Sequence, residues 1–245
     1  MVQTIPTDAG SAPSPKSLPA RIVGIVFTPR ATYADVAARP RWAAVLLIVY
    51  LVTASAATAL MTTEVGRTAV VDYQISQAES YGRQMSQQQL DRLEAFSKFL
   101  PYVAPVIQLV TLGFGCLLVS GIAFAVFTAL LGGDARFQQV FAVVVHSGVI
   151  LAALALFSTP LAYARQTLSS TTNLAVFFPF LDDSSFPARL LGAIDLVYIW
   201  WMVSLAIGLG VVYRKRTAPI AATMIAIYVV IGIVIAAIKT AAAGA

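Results

Sequence analysis

The stretch that most constrains the fold covers residues 190–213, where nearly every side chain is apolar. As a helix it would be about 36 Å long, which exceeds the ~30 Å hydrocarbon core of a bilayer. Arg214, Lys215 and Arg216 follow directly and end the apolar run with three positive charges. The stretch therefore predicts a membrane-spanning helix with a charged end, interrupted by one carboxylate, Asp195.

The composition of the whole chain indicates lipid as its solvent. Hydrophobic residues make up 59% of the sequence and charged residues only 11%, whereas soluble domains carry about 25% charged residues. The 16 basic and 11 acidic residues give a net charge of +5. Most of the basic residues lie at the ends of apolar runs, and they form no basic patch with aromatic residues. We therefore expect a lipid bilayer as partner and no nucleic acid. With one cysteine and one histidine, we expect no internal disulfide, metal or cofactor.

The apolar runs predict an all-α, polytopic membrane protein: a five-transmembrane-helix bundle with short N-terminal interfacial helices. The proline- and serine-rich residues 1–17 are predicted to be a disordered tail, and residues 239–245 form a C-terminal tail. The membrane domain covers residues 42–238. Its spans are predicted at about residues 42–63, 99–131, 137–161, 190–213 and 219–238.

Residues 18–41 contain an apolar run, residues 22–27, that is too short to cross a membrane as a helix. The segment is predicted to form two short helices with a break at Thr28 and Pro29. Thr28 is a plausible N-cap, and Pro29 suits the first position of a second helix. Arginines flank the segment, so a pair of interfacial helices is one interpretation. An ordinary lead-in to the first span is the other.

Two loop segments carry local signals. Within the polar residues 64–98, Ser86 and Gln89 have the spacing of a capping box, which predicts helical extensions outside the bilayer. The aromatic segment at residues 173–181 is too short to cross and contains Pro179. It is expected to lie in the interface or to re-enter the membrane shallowly.

Small residues mark the second span and the turn after it. Gly121, Ala125 and Ala129 recur every four residues and would let another helix approach closely. Gly132 and Gly133 predict a tight turn, so that the second and third spans form a helical hairpin.

Five spans place the two termini on opposite sides of the membrane. If the N-terminus is cytoplasmic, nine basic residues lie inside and seven outside. The inside clusters adjoin the ends of spans, which is where the positive-inside rule applies. We therefore predict a protein of the cytoplasmic (inner) membrane with its N-terminus in the cytoplasm and its C-terminus outside.

Four segments, taken in order, resemble the Yip-type domain of the Rab-interacting membrane family in its bacterial form. They are the opening at residues 27–40, the turn at 131–140, the segment 171–174, and the fourth span at 193–209. The resemblance covers about residues 18–238. The residues that match family-like motifs are Pro29, Gly132, Gly133, Asp195, Trp200 and Gly208.

The resemblance implies a five-helix bundle with a cytoplasmic N-terminus. Eukaryotic relatives bind Rab GTPases and shape vesicle traffic. For bacterial members the resemblance implies a membrane location.

Asp195 and His146 are the candidate functional residues inside the membrane. Asp195 is predicted about five residues into its span, or ~7 Å deep, where a carboxylate costs several kcal/mol unless it is paired, protonated or hydrated. It is either a proton or cation site or an interhelical hydrogen bond that holds the bundle. His146 is expected near the midplane, as a proton relay or as a packing residue. Their predicted depths differ by ~9 Å, too far for direct contact.

The sequence contains no nucleophile–base pair, phosphate loop or metal-ligand spacing with the required context, so no enzyme activity and no catalytic residue is predicted. We expect a non-enzymatic membrane protein that organises the membrane, a partner membrane protein or its own oligomer by helix packing. The alternative is a small transporter or an ion- or proton-conducting protein that uses Asp195.

Overall fold

The computed structural model describes residues 16–243 and confirms the all-α prediction. The predicted disordered tail lies almost wholly outside the described residues. In the described part, the one β pairing is an isolated bridge between Asn173 and Asp195. Ten α-helices make up the fold: α1 (Leu18–Phe27), α2 (Pro29–Ala38), α3 (Ala43–Thr62), α4 (Glu64–Ser80), α5 (Gln87–Ser97), α6 (Leu100–Phe124), α7 (Phe137–Arg165), α8 (Phe186–Ala193), α9 (Leu196–Val212) and α10 (Thr217–Ala243).

Four of these helices are long and apolar enough to cross a membrane: α3, α6 with its continuation to Leu130, α7 and α10. The chain is therefore a multi-pass membrane protein. Helix α9 is also apolar but has 17 residues, or about 25 Å, somewhat less than the thickness of the hydrocarbon core. The count of five spans stays a prediction.

Helix α7 is the centre of the bundle. Its residues from Val140 to Ile150 are all buried, because α3, α6 and α9 all pack against it. An apolar sequence without a polar face is expected where every side of a helix is covered by other helices. Helix α10 packs on the far side of α9 and also contacts α4 and α8.

The predicted continuous fourth span at residues 190–213 is wrong. The chain is extended at Ile194 (φ −102°, ψ 107°) and at Asp195 (φ −104°, ψ 129°), so α8 ends and α9 begins there. An aspartate can accept hydrogen bonds from the free N–H groups of a new helix, and this competes with helical continuation. Asp195 therefore does not lie inside a continuous helix but precedes α9.

The N-terminal segment forms two helices, α1 and α2, and Pro29 is the first residue of α2. Thr28 is the N-cap residue, but its side chain makes no capping hydrogen bond. Tyr33 and Val36 of α2 are completely buried because α2 packs against α7 and α9. Helix α2 is thus part of the bundle, and whether the pair lies in the membrane interface stays a prediction.

The turn between α6 and α7 depends on two glycines. Helix α6 continues as a π-helical turn over Ala125–Leu130, and Gly132 has a φ of +66°, which glycine adopts without strain. The Gly133 amide donates to the Phe127 carbonyl oxygen at 2.9 Å. The π-helical turn also places the Phe127 ring on Tyr213 at 4.9 Å between centroids, which joins the hairpin to the end of α9.

We expect Gly133→Ala to destabilise the protein by about 2 kcal/mol, since overpacking typically costs 1–3 kcal/mol. An added Cβ would lie 2.6 Å from the Phe127 oxygen and 2.7 Å from the Tyr213 ring. Unfolding in mild detergent measures the effect. Asp134→Ala, a change to an exposed neighbour, is the control and should stay within about 0.5 kcal/mol of wild type. Equal stability of the two variants would contradict this account of the turn.

The loop predictions are met in part. The capping box of Ser86 and Gln89 is confirmed, and α4 and α5 are the predicted helical extensions. The aromatic segment holds one short 3₁₀ turn, Leu174–Phe177. The side chains of Phe177 and Phe180 are largely exposed, and the choice between an interfacial and a re-entrant position stays open.

Candidate functional site

Asp195 is buried, with 6% of its surface exposed, and all its hydrogen-bonding partners come from its own chain. Its Oδ1 atom accepts from the backbone amides of Val197 at 2.8 Å and Tyr198 at 3.4 Å, and so caps α9. Its Oδ2 atom accepts from the hydroxyls of Ser170 at 2.6 Å and Thr172 at 2.7 Å. A carboxylate has about four acceptor positions, so these four donors occupy them.

The backbone around Asp195 is equally well satisfied. The Leu174 amide donates to the Ile194 carbonyl at 2.9 Å, and the Leu196 amide donates to the Thr172 carbonyl at 3.0 Å. On the other side, the Tyr228 hydroxyl of α10 accepts from the Asp195 amide at 3.0 Å and donates to the Ala193 carbonyl at 2.9 Å. The loop and α10 thus replace the helical bonds that the break removes.

This arrangement can hold a negative charge at one place in the bundle. The charge lies at the N-terminus of α9, where the helix dipole stabilises it. Among residues 16–243, the salt bridges all involve Asp35, so Asp195 has no cationic partner there. Its oxygens are hydrogen-bonded to the protein, which favours a structural role, the second of the two interpretations of this residue.

His146 lies elsewhere in the bundle. It is fully buried on α7, its Nδ1 atom is 2.7 Å from the Ala142 carbonyl, and its Nε2 atom has no hydrogen-bonding partner in the described residues. The Trp201 indole donates to the hydroxyl of the adjacent Ser147 at 3.0 Å, so His146 is level with this part of α9. Trp201 is six residues from Asp195, about 9 Å along the helix. The structure does not bring the two candidate residues together.

A second polar cluster, which was missed in the sequence, joins α1 and α2 to the bundle. Arg21 Nε and Asp35 Oδ2 are 2.8 Å apart, and the Arg21 side chain is only 5% exposed. The Tyr33 and Ser204 hydroxyls are 2.8 Å apart across α2 and α9. Burial raises the pKa of Tyr33, so its phenol stays neutral and can donate a hydrogen bond. The sequence contains one signal for this cluster. Opposite charges lie on α1 and α2, and the break at Thr28 lets these two helices pack against each other.

Of the remaining motif residues, Gly208 lies where three helices pack closely. A Cβ at Gly208 would overlap Val143 Cγ1 and lie 3.0 Å from the Tyr33 ring, so this glycine allows α2, α7 and α9 to meet. Trp200 is 42% exposed on the outside of α9. In the described part of the chain, no group of three or more His, Cys, Asp or Glu residues is placed to hold a metal ion.

Comparison with known proteins identifies the family of the chain. The Yip1 domain family model matches residues 23–238, which include the second half of α1, all of α2, the glycine turn and the Asp195 cluster. No curated protein and no solved structure matches the chain. Since the matched region covers most of the 245 residues, this multi-pass membrane protein belongs to the Yip1 domain family.

Proposed function

We propose that the chain is a non-enzymatic, five-pass protein of the bacterial inner membrane that organises partner membrane proteins, or copies of itself, by helix packing. The Yip1 domain family is not a known enzyme family. The observation that carries the proposal is the uncovered face of α6. Seven large apolar side chains on this face are at least half exposed: Val106, Ile107, Leu109, Val110, Phe114, Leu117 and Ile122.

The same face has room for a close helix–helix contact. A Cβ added at Gly121 would meet no atom within 4 Å, so no other helix among residues 16–243 packs closely against this glycine. Small residues at the surface of a membrane helix let a second backbone approach, and such packing drives association in lipid. Gly121 begins the small-residue stripe that the sequence predicts.

The proposed topology counts α9 as the fourth pass and is supported by contacts at both ends of the bundle. At one end, the Gln139 amide nitrogen at the start of α7 donates to the Ala37 carbonyl at 2.9 Å. At the other end, Lys239 near the end of α10 donates to Gln77 of α4 at 3.0 Å. Helix α2 and the end of α10 thus contact opposite ends of the bundle.

Charge then favours a cytoplasmic location for the N-terminal end. This end carries Arg214, Lys215 and Arg216 after α9, together with Arg136, Arg30 of α2, and Arg39 and Arg41 after α2. Clusters of basic residues next to spans remain in the cytoplasm.

Cysteine labelling of intact cells tests this orientation. The sole native cysteine is first replaced (Cys116→Ala), and single cysteines are placed by Gln3→Cys and Ser184→Cys in separate proteins. With a membrane-impermeant maleimide, we expect labelling at position 184 and none at position 3 until the cells are opened. Labelling at position 3 in intact cells would reverse the topology.

The packing role is tested by crosslinking the full-length protein in native membranes. Gly121→Leu places a large side chain on the uncovered face, whereas Gly115→Leu is a matched control on another side of α6, also in open space. We expect Gly121→Leu to reduce crosslinked species about tenfold, the equivalent of 1.4 kcal/mol, and the control to leave them unchanged. A wild-type protein that forms no crosslinked species, or equal loss in both variants, would contradict the proposal.

A further inference from the structure

A slot lies between α3, α6 and α7 and has a volume of about 670 Å³. This volume lies within the range of sites that hold small molecules, about 300–1,000 Å³. On α7 the lining extends from Val144 to Ala162, a length of about 27 Å at 1.5 Å per residue. The slot is therefore long and lies parallel to the helices, and hence to the membrane normal.

The walls of the slot are mostly apolar, and several of the residues that line them are small. Ala56 and Ala57 of α3, Gly115 of α6 and Gly148 of α7 all line it. A Cβ at Gly115 would meet nothing within 4 Å, so the space next to α6 is empty. Thr111 of α6 also lines the slot and is exposed on the membrane-facing side, which gives a lipid a lateral way in.

One end of the slot is polar. Residues 168–172 and Asp195 form this end, and no lysine or arginine lines the cavity. The Thr171 hydroxyl there is buried and has no hydrogen-bonding partner among residues 16–243. A buried hydroxyl without a hydrogen-bonding partner is destabilising. The end of the slot therefore offers a free acceptor beside a carboxylate that has no cationic partner among residues 16–243.

We propose that the slot binds one acyl chain of a membrane phospholipid with a primary ammonium head group, of the phosphatidylethanolamine class. The chain lies along α7 between α3 and α6, because apolar walls of this length match a hydrocarbon chain and the bilayer supplies one. The ammonium group lies at the polar end, where the Thr171 hydroxyl accepts a hydrogen bond and the Asp195 charge attracts it. This site lies on a different side of α6 from the Gly121 face and goes beyond the packing function proposed above.

The test uses the full-length protein in nanodiscs that contain phosphatidylethanolamine with a photoreactive diazirine on its acyl chain. Crosslinked peptides are mapped by mass spectrometry. Gly115→Phe places a ring in the slot, and Gly113→Phe is the matched control, since Gly113 is also in open space on α6 but does not line the slot. Each methylene group that the ring keeps out of the apolar slot weakens binding of the acyl chain. We therefore expect labelling of residues 144–162 to fall at least tenfold in Gly115→Phe and to match wild type in Gly113→Phe.

Equal labelling of residues 144–162 in the two variants, or labelling confined to the outer face of α6, would overturn the acyl-chain site.

Competition with unlabelled lipids tests the head group: phosphatidylethanolamine should displace the probe, whereas phosphatidylglycerol or a free fatty acid should not. Equal displacement by all three would overturn the head-group assignment. Thr171→Val removes the free hydroxyl at nearly constant volume. This variant should reduce the advantage of phosphatidylethanolamine over the other two lipids as a competitor. The crosslinking experiment with Gly121→Leu tests a different face of α6. The packing function and the lipid site can therefore fail independently of each other.

Discussion

Replacing Asp195 with alanine is expected to be the most damaging single change in this protein, at about 4 kcal/mol of unfolding free energy. Loss of an N-cap side chain costs up to about 2 kcal/mol. In addition, the Ser170 and Thr172 hydroxyls lose their charged acceptor, and hydrogen bonds to charged groups contribute about 1.5–3 kcal/mol each. The total is less than the sum because these bonds form one network. Unfolding in mild detergent, with retention of a monodisperse species, measures the effect.

Asp195→Asn is the matched control, and it also separates the two functional interpretations. An amide oxygen can still cap α9, and the hydroxyls of Ser170 and Thr172 can rotate to accept from the amide nitrogen. We expect a loss of about 1 kcal/mol, the value of an ordinary hydrogen bond, and a folded protein. If both variants unfolded equally, the charge itself would be essential, and the capping explanation would fail.

The same Asp195→Asn protein tests the transporter alternative. Wild type and variant are reconstituted in proteoliposomes, and proton or cation flux is compared. A carrier that uses the Asp195 carboxylate would lose flux when the charge is removed. We expect equal flux, since all four acceptor positions of the carboxylate are occupied by the protein.

Replacing Gly208 with valine should cost about 3 kcal/mol, because inserting atoms into a packed core costs 1–3 kcal/mol or more. The new side chain would overlap Val143 Cγ1 and press against the Tyr33 ring. Neither neighbour can move freely: Val143 is on the central helix, and the Tyr33 hydroxyl is bonded to Ser204. The measurement is again unfolding in mild detergent.

Gly148→Ala is the control for Gly208→Val. It also adds a side chain to a helical glycine facing a neighbouring helix, but the new Cβ would lie 3.7 Å from Val49 Cγ1, an ordinary contact. Alanine has a higher helix propensity than glycine by about 1 kcal/mol, so this variant should be at least as stable as wild type. A stable Gly208→Val protein would show that α2, α7 and α9 are not packed as closely as described.

The helices themselves were largely predictable because their signals are local. A helix with more than about 20 apolar residues, a capping box such as Ser86 with Gln89, and a proline at the first position of α2 are properties of short segments. The Gly132–Gly133 turn belongs to the same class. The predicted fourth span failed because residues 190–213 are apolar throughout, and apolarity does not distinguish one helix from two.

The candidate residues were found, but not their environments. Asp195 stood out as a charge in an apolar run, yet it is the N-cap of α9, a role that was not predicted. Arg21 was one of the arginines that flank the N-terminal segment and Asp35 was not singled out, although the two form a buried pair. The slot could not be anticipated, because Gly115 and Gly148 leave space only when α3, α6 and α7 come together.

By itself, the sequence determined that this protein is an all-helical membrane protein, because apolar length and composition decide the solvent of each segment without reference to the others. Only the tertiary structure decided what Asp195 does. Its partners, Ser170, Thr172 and Tyr228, are 23 to 33 residues away in the chain. A helix breaks where hydrogen bonds from elsewhere replace its own, and that exchange depends on how the loop and α10 pack against α9.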